Sequence, residues 1–483
     1  MANQLFVAAT FIGFLVLIVS VGIYSSTRKQ NTTADYILAS RAVSPWLTAL
    51  SAMSTGQSGL LFLGQVGFAY KIGISSIWLV IGWAIGDYLA WLFFFKRLRQ
   101  ISEDTSSDTV SAFLAQNHSG ARWISIVSAV VIIAFLGSYA ASQLVAGSKA
   151  LHVVFGWDYS LGIVLGAIIV IIYCFSGGVR AEIWTDAAQG IVMIASLLLL
   201  LTVAIAKCGG IGELWTKLSS IDSQLVNLNP KNLPLGFVPF FIGWIVAGFG
   251  VVGQPHILVR AMAIDSPNNI NRALNIKTIC ALINSFSAIG IGLTARVLLP
   301  GLMTGGDPEL ALPYLAGELL PAIFVGLMLS GVFAATMSTA DSQILCCSAA
   351  ITQDIFPQFA NSYRLVKLGT LTVAMIVLSI ALAGDNNVFL FVTFSWSALA
   401  SALGPLLMLR VWQFPITTPV AILMMVAGIA AALSWNLVLK LSPIVYEVLP
   451  GMVAGMLVYL IARIFTKKRQ MVEDGRGKIE GRR

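Results

Sequence analysis

Long apolar stretches separated by short polar ones run through the whole chain. A helix needs about 20 mostly apolar residues to cross a bilayer, and thirteen stretches reach that scale. They are residues 5–25, 46–70, 74–95, 123–148, 160–177, 184–206, 236–258, 276–299, 316–350, 365–383, 387–411, 416–439 and 443–465. The ninth is too long for one helix perpendicular to the membrane, so part of it must tilt or leave the bilayer. The pattern predicts an all-α polytopic membrane protein with about 13 transmembrane helices.

Composition excludes the other broad classes. Of the 483 residues, 58% are hydrophobic and 10% are charged, whereas soluble domains carry about 25% charged residues. The five Cys and three His show no spacing typical of a zinc site or a disulfide framework. Residues 5–25 lack a charged region before them, so we interpret them as a retained span and not a signal peptide. The sequence Ile479-Glu480-Gly481-Arg482 matches a protease recognition site and carries no functional weight here.

Lys and Arg residues set the predicted orientation. If the N-terminus is outside, most of the 29 Lys and Arg residues fall on inside loops, as the positive-inside rule requires. We therefore expect a plasma (inner) membrane protein with its N-terminus outside and its C-terminus in the cytoplasm. In such a chain the net charge of +8 reflects cytoplasmic loops and not a nucleic-acid partner.

Two predicted spans carry polar and helix-breaking residues at their centres. The second has two Gly and several hydroxyls within residues 51–59, and the seventh has three Gly and a Pro within residues 248–255. These residues weaken a helix, and unwound backbone at membrane depth is tolerated only where it is buried or lines a cavity. Its free carbonyl oxygens suit a small cation. The alternative is that Gly and Ser permit tight helix packing.

The two interruptions lie five spans apart, which indicates two five-helix repeats that each open with a broken helix. The predicted units are an N-terminal helix with its loop, the two repeats, two C-terminal helices and a cytoplasmic tail. Their bounds are 1–45, 46–206, 207–412, 413–466 and 467–483.

The ninth span carries a polar face. Ser338, Asp341 and Ser342 share one side of a helix by their spacing, and Thr339 lies beside them. Hydroxyls and a carboxylate without His or Cys suit an alkali ion better than zinc. The alternative for Asp341 is a helix-end residue in water near the inner face.

Other residues in the spans allow two interpretations each. Asp186 is most simply an acid at the start of the sixth span, favoured by the helix dipole. His256 offers a proton shuttle, but its position beside Arg260 favours exposure at the inner membrane surface. Asp87 in the third span receives no role. Aromatic residues in spans usually face lipid or the protein core, but three are candidate substrate walls: Tyr139, Trp244 and Trp396.

Five motifs, in order along nearly the whole chain, resemble one family. They are Asp35-Tyr36-Ile37-Leu38 with Arg41, Thr48-Ala49-Leu50-Ser51-Ala52, Trp184-Thr185-Asp186, Gly253-Gln254-Pro255-His256-Ile257-Leu258 with Arg260, Met262 and Ala263, and Ala334-Ala335 with Met337-Ser338-Thr339. The chain resembles the sodium:solute symporter family, and within it the bacterial proline symporters. This implies the leucine-transporter fold, a 5+5 inverted repeat, with one extra N-terminal and two extra C-terminal helices.

The resemblance also implies binding residues. The main Na⁺ site would use the backbone carbonyls of Ser54, Gln57 and Ala335 and the hydroxyls of Ser338 and Thr339. A second Na⁺ would involve Asp186, Ser338, Asp341 and Ser342. The implied substrate positions are Ser58, Tyr139, Trp244 and Pro255, to which we add the Gln57 amide and Trp396.

The chain departs from the proline symporters in the substrate region. Gly56-Gln57 replaces an Asp-Met pair, so a carboxylate is missing, and the stretch from Trp244 to Gly253 is about three residues longer. The expected function is Na⁺-coupled symport of L-proline, and the alternative solute is another amino acid or a small organic acid. Proton coupling through Asp186 or Asp341 is a further alternative.

Functions of other classes are less well supported. A symporter-like sensor would need a signalling domain, for which the tail after Phe465 is too short, and a channel would need a charged pore ring. No nucleophile–base pair points to an enzyme. The expected partners are the solute, Na⁺ and the lipid bilayer, with no nucleic acid and no obligate protein partner.

Overall fold

In a computed structural model of the chain, the described residues are 2–27, 32–116, 120–231, 233–384 and 388–480. Their secondary structure is helical, without a β-strand and with one isolated β-bridge between Val43 and Ile264. Ten helices of this part are long and apolar enough to cross a membrane, and a bent pair adds an eleventh. One of the ten, Pro45–Asp104, is divided at Gly73, and a shorter apolar helix covers Tyr159–Ile172. Each of the thirteen predicted segments therefore corresponds to a helix, and the all-α prediction is confirmed.

We label the membrane helices α1 to α13 in chain order. Their bounds are α1 Ala2–Ser26, α2 45–72, α3 77–104, α4 Ala121–Phe155, α5 159–177, α6 Gly178–Lys207, α7 Phe237–Gly253 continued by Pro255–Ala263, α8 Ile270–Leu298, α9 Ala322–Ile355, α10 Tyr363–Ala383, α11 Val388–Val411, α12 Thr418–Val438 and α13 Val448–Glu480. Shorter helices connect them at Thr33–Leu38, Val110–Ala115, Ile211–Ile221 and Ala311–Leu319.

The long ninth segment is resolved into two helices. Its first residues belong to the separate short helix Ala311–Leu319, and α9 begins after Pro321. The helix α9 is also central in the bundle. Of its most apolar stretch, 78% is buried inside the protein, against 28% for the corresponding stretches of α1 and α12. Only α11, at 83%, is comparably enclosed among the spans of the described chain. The polar face predicted on α9 therefore lies inside the bundle.

The boundary between α5 and α6 depends on one glycine. Gly178 has φ 60° and ψ −154°, a backbone conformation that is essentially reserved for glycine. A Cβ atom there would also clash with the Tyr36 carbonyl oxygen. The chain can therefore turn between two helices at this point only because residue 178 lacks a side chain.

Helices α3 and α7 pack backbone to backbone. A Cβ atom on Gly86 would overlap the Ile245 carbonyl, and one on Gly248 would overlap the Trp83 carbonyl. Small residues allow helices in membranes to approach this closely. The contact places Trp83 of α3 and Trp244 of α7 beside one another, with ring centroids 6.4 Å apart.

The loop before α2 is anchored by Arg41. Its guanidinium donates hydrogen bonds to the backbone carbonyls of Ser102 and Ser107, both at 2.9 Å, and of Met262 at 3.1 Å. It also lies 3.7 Å from the Asp108 carboxylate, whose pKa is raised by burial. The ends of α3 and α7 are thereby tied to the entrance of α2. The predicted bounds of the two repeats, 46–206 and 207–412, stay a prediction.

Candidate functional site

The helix α2 is interrupted at Ser58. This residue has φ 53° and ψ −173°, a strained conformation for a residue with a side chain, worth about 1–3 kcal/mol. Backbone groups around the break are bonded by neighbouring helices. The Gly59 amide donates to Gln143 Oε1 of α4 at 2.8 Å, and the Thr339 hydroxyl of α9 donates to the Thr55 carbonyl at 3.0 Å. Side chains of α4 and α9 therefore satisfy groups that the helix leaves free.

A cluster of buried oxygens lies where α2 meets α9. The Ser54 hydroxyl donates to Ser338 Oγ at 2.9 Å, and the Thr339 hydroxyl also contacts the Ala335 carbonyl at 3.0 Å. Four of the five residues predicted for the main Na⁺ site thus lie in one network of hydroxyl and carbonyl oxygens, which Ser54 joins through its hydroxyl and not through the predicted carbonyl. These are hard ligands that fit an alkali ion. The role of these residues as ligands stays a prediction.

Gln57, the fifth predicted ligand, has a different environment. Its backbone carbonyl accepts a hydrogen bond from the Leu60 amide. Its side-chain amide turns to α8, donating to the Ala281 carbonyl at 2.9 Å and accepting from Asn284 Nδ2 at 2.7 Å. The side chain of Gln57 therefore connects α2 to α8.

A buried arginine occupies the cytoplasm-proximal side of this cluster in the predicted orientation. Arg260 of α7 is fully buried. Its Nε atom donates to Ser51 Oγ at 3.2 Å and its Nη2 atom to Asp186 Oδ2 at 3.1 Å, with further bonds to Glu182 and Ser342. The predicted surface exposure of His256 beside Arg260 is wrong, because His256, like Arg260, has 0% exposed area. Two carboxylates compensate the guanidinium charge, so it can lie inside the bundle.

The two acids with surface alternatives are also buried. Asp186 and Asp341 each have 0% exposed area, so neither is a helix-end residue in water. Asp186 accepts hydrogen bonds from Ser51 at 2.6 Å and Thr55 at 3.1 Å. Asp341 accepts from the Ser342 amide at 2.7 Å.

Two of the four residues implied for a second Na⁺ already contact a cation of the chain itself. The guanidinium of Arg260 bonds to Asp186 and Ser342. The other two implied residues are Ser338 and Asp341. Ser338 instead contacts the Thr55 hydroxyl at 3.2 Å. Arg260 therefore supplies positive charge within the set of groups proposed for the second ion.

A cavity of about 110 Å³ lies beside the α2 break, between α2, α3, α7, α8 and α11. Three of the predicted substrate residues line it: Gln57, Trp244 and Trp396. The other three are not among its lining residues. Tyr139 donates its hydroxyl to Ser58 Oγ at 3.3 Å, and Pro255 begins the second half of α7 and lines a smaller cavity with Glu182 and Arg260.

Tryptophans form one wall of the larger cavity. The rings of Trp83 and Trp396 have centroids 4.8 Å apart, and Trp244 lies next to Trp83. Trp396 is 2% exposed and makes two hydrogen bonds. Its Nε1 atom donates to the Ala247 carbonyl at 2.9 Å, and the Trp396 carbonyl accepts from Gln254 Nε2 at 3.0 Å. The rigid aromatic wall offers an apolar surface to a small solute.

Comparison with known proteins shows the family to which the chain belongs. The model of the sodium:solute symporter family matches residues 36–428, which is most of the chain. The chain belongs to the sodium:solute symporter family. Relatives include the high-affinity proline transporter PutP of Bacillus subtilis, 33% identical over 92% of this chain and 95% of the relative. The sodium/proline symporter of Escherichia coli is 31% identical over 92% of this chain and 90% of its own.

Solved structures agree on the fold. A Na⁺-coupled sialic acid symporter in a substrate-bound outward-open state superposes with TM-score 0.78 at 20% identity, over 94% of this chain and 96% of the other. Mhp1, a nucleobase-cation-symport-1 family transporter, superposes with TM-score 0.57 at 16% identity, over 91% and 96%. The symporter has the leucine-transporter fold. It is a multi-pass membrane protein that transports a solute with Na⁺ and is not an enzyme.

Sequence reasoning missed several residues of the symporter's polar centre. Ser51 and Thr55 on α2, and Glu182 on α6, were assigned no role, although each contacts Asp186 or Arg260. The available signal was spacing. Ser51 and Thr55, like Glu182 and Asp186, are four residues apart and therefore share a helical face. Asp87, which received no role, pairs with Lys277 of α8 at the cavity wall.

Proposed function

We propose that this symporter carries L-proline into the cell together with Na⁺ by alternating access. The supporting observation is the oxygen network that joins the broken helix α2 to α9 beside a cavity of about 110 Å³. Relatives about 30% identical over nearly the whole chain are proline transporters by name, and this supports proline as the solute.

The proposed main Na⁺ site uses the carbonyls of Ser54, Gln57 and Ala335 and the hydroxyls of Ser338 and Thr339. Ligands from two helices let Na⁺ replace direct hydrogen bonds between α2 and α9 and so bias their relative position. A potential of 100 mV contributes about 2.3 kcal/mol per charge and a tenfold Na⁺ gradient about 1.4 kcal/mol. Together, about 3.7 kcal/mol supports roughly 500-fold accumulation of the solute with one Na⁺.

The proposed solute site is the cavity beside the break. Gln57, Trp244 and Trp396 line it. We place Ser58, Tyr139 and Pro255 at its edge, where they hold the two broken helices. We propose one Na⁺ per solute, because the guanidinium of Arg260 contacts Asp186 and Ser342 in the set implied for a second ion.

The proposed location is the plasma (inner) membrane, with the N-terminus outside and the C-terminus in the cytoplasm. The asymmetric distribution of Lys and Arg over the loops supports this orientation. The proposed partners are the proline-like solute, Na⁺ and the bilayer.

Uptake into liposomes tests the proposal. We expect labelled L-proline to accumulate when an inward Na⁺ gradient is imposed and not with K⁺ or H⁺ gradients. Uptake driven by H⁺ would replace Na⁺ coupling with proton coupling. If no proline enters but Na⁺ still raises the melting temperature, the ion site stands and the solute is another amino acid or a small organic acid.

A further inference from the structure

The cavity wall carries an ion pair that the mechanism above does not use. Asp87 of α3 and Lys277 of α8 pair with each other, and both line the larger cavity. Their side chains are largely buried, with 13% and 7% exposed area. The other residues recorded around this cavity are uncharged. The pair is therefore the charged feature that a solute in the cavity would meet.

Much of the bonding capacity of the pair is unused. Within the described chain, neither charged group makes a hydrogen bond other than the one that joins them. The Lys277 ammonium also lies 5.1 Å from the centre of the Trp91 ring. An ammonium has three N–H donors, and a carboxylate accepts at both oxygens. Donors and acceptors thus remain for a ligand that enters from the cavity.

Stability alone does not account for this pair. Replacing a buried ion pair with apolar residues of similar volume is often neutral or stabilising. Ionisable residues within membrane spans more often mark a substrate or ion pathway. Asp87 is also held in place, because its neighbour Gly86 touches the α7 backbone at Ile245. A charge pair that is held in place at a cavity wall is arranged to bind a charged ligand.

The rest of the cavity complements the pair. Trp83, Trp244 and Trp396 offer an aromatic surface, and Gln57 brings an amide from α2. An apolar ring that carries one carboxylate and one ammonium group would match both parts. We propose that the Asp87–Lys277 pair is the charge-recognition subsite for a zwitterionic solute, with the carboxylate bound by Lys277 and the ammonium by Asp87. This subsite rests on the proposed function in that it takes the cavity to be the solute site.

Competition with two analogues tests each half of the pair. L-Prolinamide lacks the carboxylate, and tetrahydrofuran-2-carboxylate replaces the ammonium with an ether oxygen. Inhibition of labelled L-proline uptake is measured for the native protein, Lys277→Gln and Asp87→Asn. We expect the native protein to prefer proline over each analogue at least about tenfold, which is about 1.4 kcal/mol. Lys277→Gln should lose only the preference over prolinamide, and Asp87→Asn only the preference over the ether.

A control separates recognition from the loss of a buried lysine. Lys149 is 3% exposed and pairs with Asp307 and Glu309, away from the cavity lining. Lys149→Gln should keep both preferences even if its uptake rate falls. If either single variant fails to fold, the double variant Asp87→Asn with Lys277→Gln leaves no unpaired charge and should lose both preferences. Unchanged preferences in folded variants overturn the proposal.

A second readout separates this proposal from the proposed function. If the native protein takes up no proline with Na⁺, the solute assignment fails, and the shift of melting temperature by each of the twenty amino acids then tests the subsite. An amino acid that stabilises the native protein but not Lys277→Gln or Asp87→Asn supports it. Equal stabilisation of all three proteins, or no stabilisation by any amino acid, overturns it.

Discussion

The two broken helices of the symporter are interrupted in different ways. The helix α2 is kinked at Ser58 by an unusual backbone conformation of that one residue, and the helix continues to residue 72. The helix α7 bends by 61° between Gly253 and Pro255. One break is thus an unusual φ/ψ pair at a single residue inside a helix, and the other is a bend between two helices.

Different partners hold the two breaks. At α2, the backbone groups of Gly59 and Thr55 are bonded by side chains of two other helices, Gln143 of α4 and Thr339 of α9. At α7, Gly253 packs against the Ala400 backbone of α11, and Gln254 bonds to the Trp396 carbonyl of the same helix. Hydroxyl and carbonyl oxygens at a break can exchange their hydrogen bonds for a cation, whereas close backbone packing fixes the direction of the chain. This difference fits the proposed Na⁺ site at the first break and a fixed bend at the second.

Removing the arginine that joins both breaks should have the largest effect. Arg260 follows the α7 break and bonds to Ser51, which precedes the α2 break. We expect Arg260→Gln to lower the free energy of unfolding by about 3–5 kcal/mol, because Glu182 and Asp186 would remain as uncompensated buried charges. Adding Glu182→Gln should restore part of the loss. Thermal unfolding in detergent measures both, and a single variant as stable as the native protein would contradict the role of Arg260.

Adding a methyl group at each break tests the packing difference. In Gly253→Ala the new Cβ would lie 2.6 Å from Ala400 Cα and 2.7 Å from the Leu399 carbonyl oxygen. Backbone atoms cannot yield easily, so we expect a loss of about 1–3 kcal/mol. The matched control is Gly56→Ala near the α2 break, where the nearest atom is a flexible Ile257 methyl at 3.6 Å. Thermal unfolding should show no loss for the control, and equal losses would refute the comparison.

Removing one hydroxyl at the first break should change ion affinity and little else. Thr339→Val keeps the side-chain shape but removes the oxygen that contacts Thr55 and Ala335. We expect the Na⁺ concentration for half-maximal uptake to rise about tenfold, equivalent to about 1.4 kcal/mol. Thr336→Val is the control, since its hydroxyl donates to the Phe333 carbonyl of its own helix. If the two variants need the same Na⁺ concentration, Thr339 is not a ligand.

Local sequence predicts the breaks well. Residues 51–59 and 248–255 were expected to interrupt their spans, and the backbone changes at Ser58 and at Gln254 fall within these stretches. Gly, Ser and Pro affect the backbone at their own positions, so their effect is visible without knowledge of the fold. The long ninth segment needed the structure, because only there is the short helix Ala311–Leu319 separated from α9.

Partners across the bundle were harder to predict. Arg260 and Glu182 are 78 residues apart, and Asp87 and Lys277 are 190 apart. Nothing in the local sequence says which helices meet, so the predicted exposure of His256 beside Arg260 was wrong and Asp87 had no predicted partner. The usable signal was the presence of opposite charges in two apolar spans, since each such charge needs a counter-charge.

The glycine contact between α3 and α7 has a mechanical consequence. A slide by one residue along a helix is about 1.5 Å, and at Gly86 or Gly248 it would press side chains into backbone. We therefore expect the two helices to move together and not to slide past one another. Trp83, Asp87 and Trp244 then keep their mutual positions whichever face of the membrane the cavity opens to. If this cavity is the proposed solute site, the solute would meet the same wall when it enters and when it leaves.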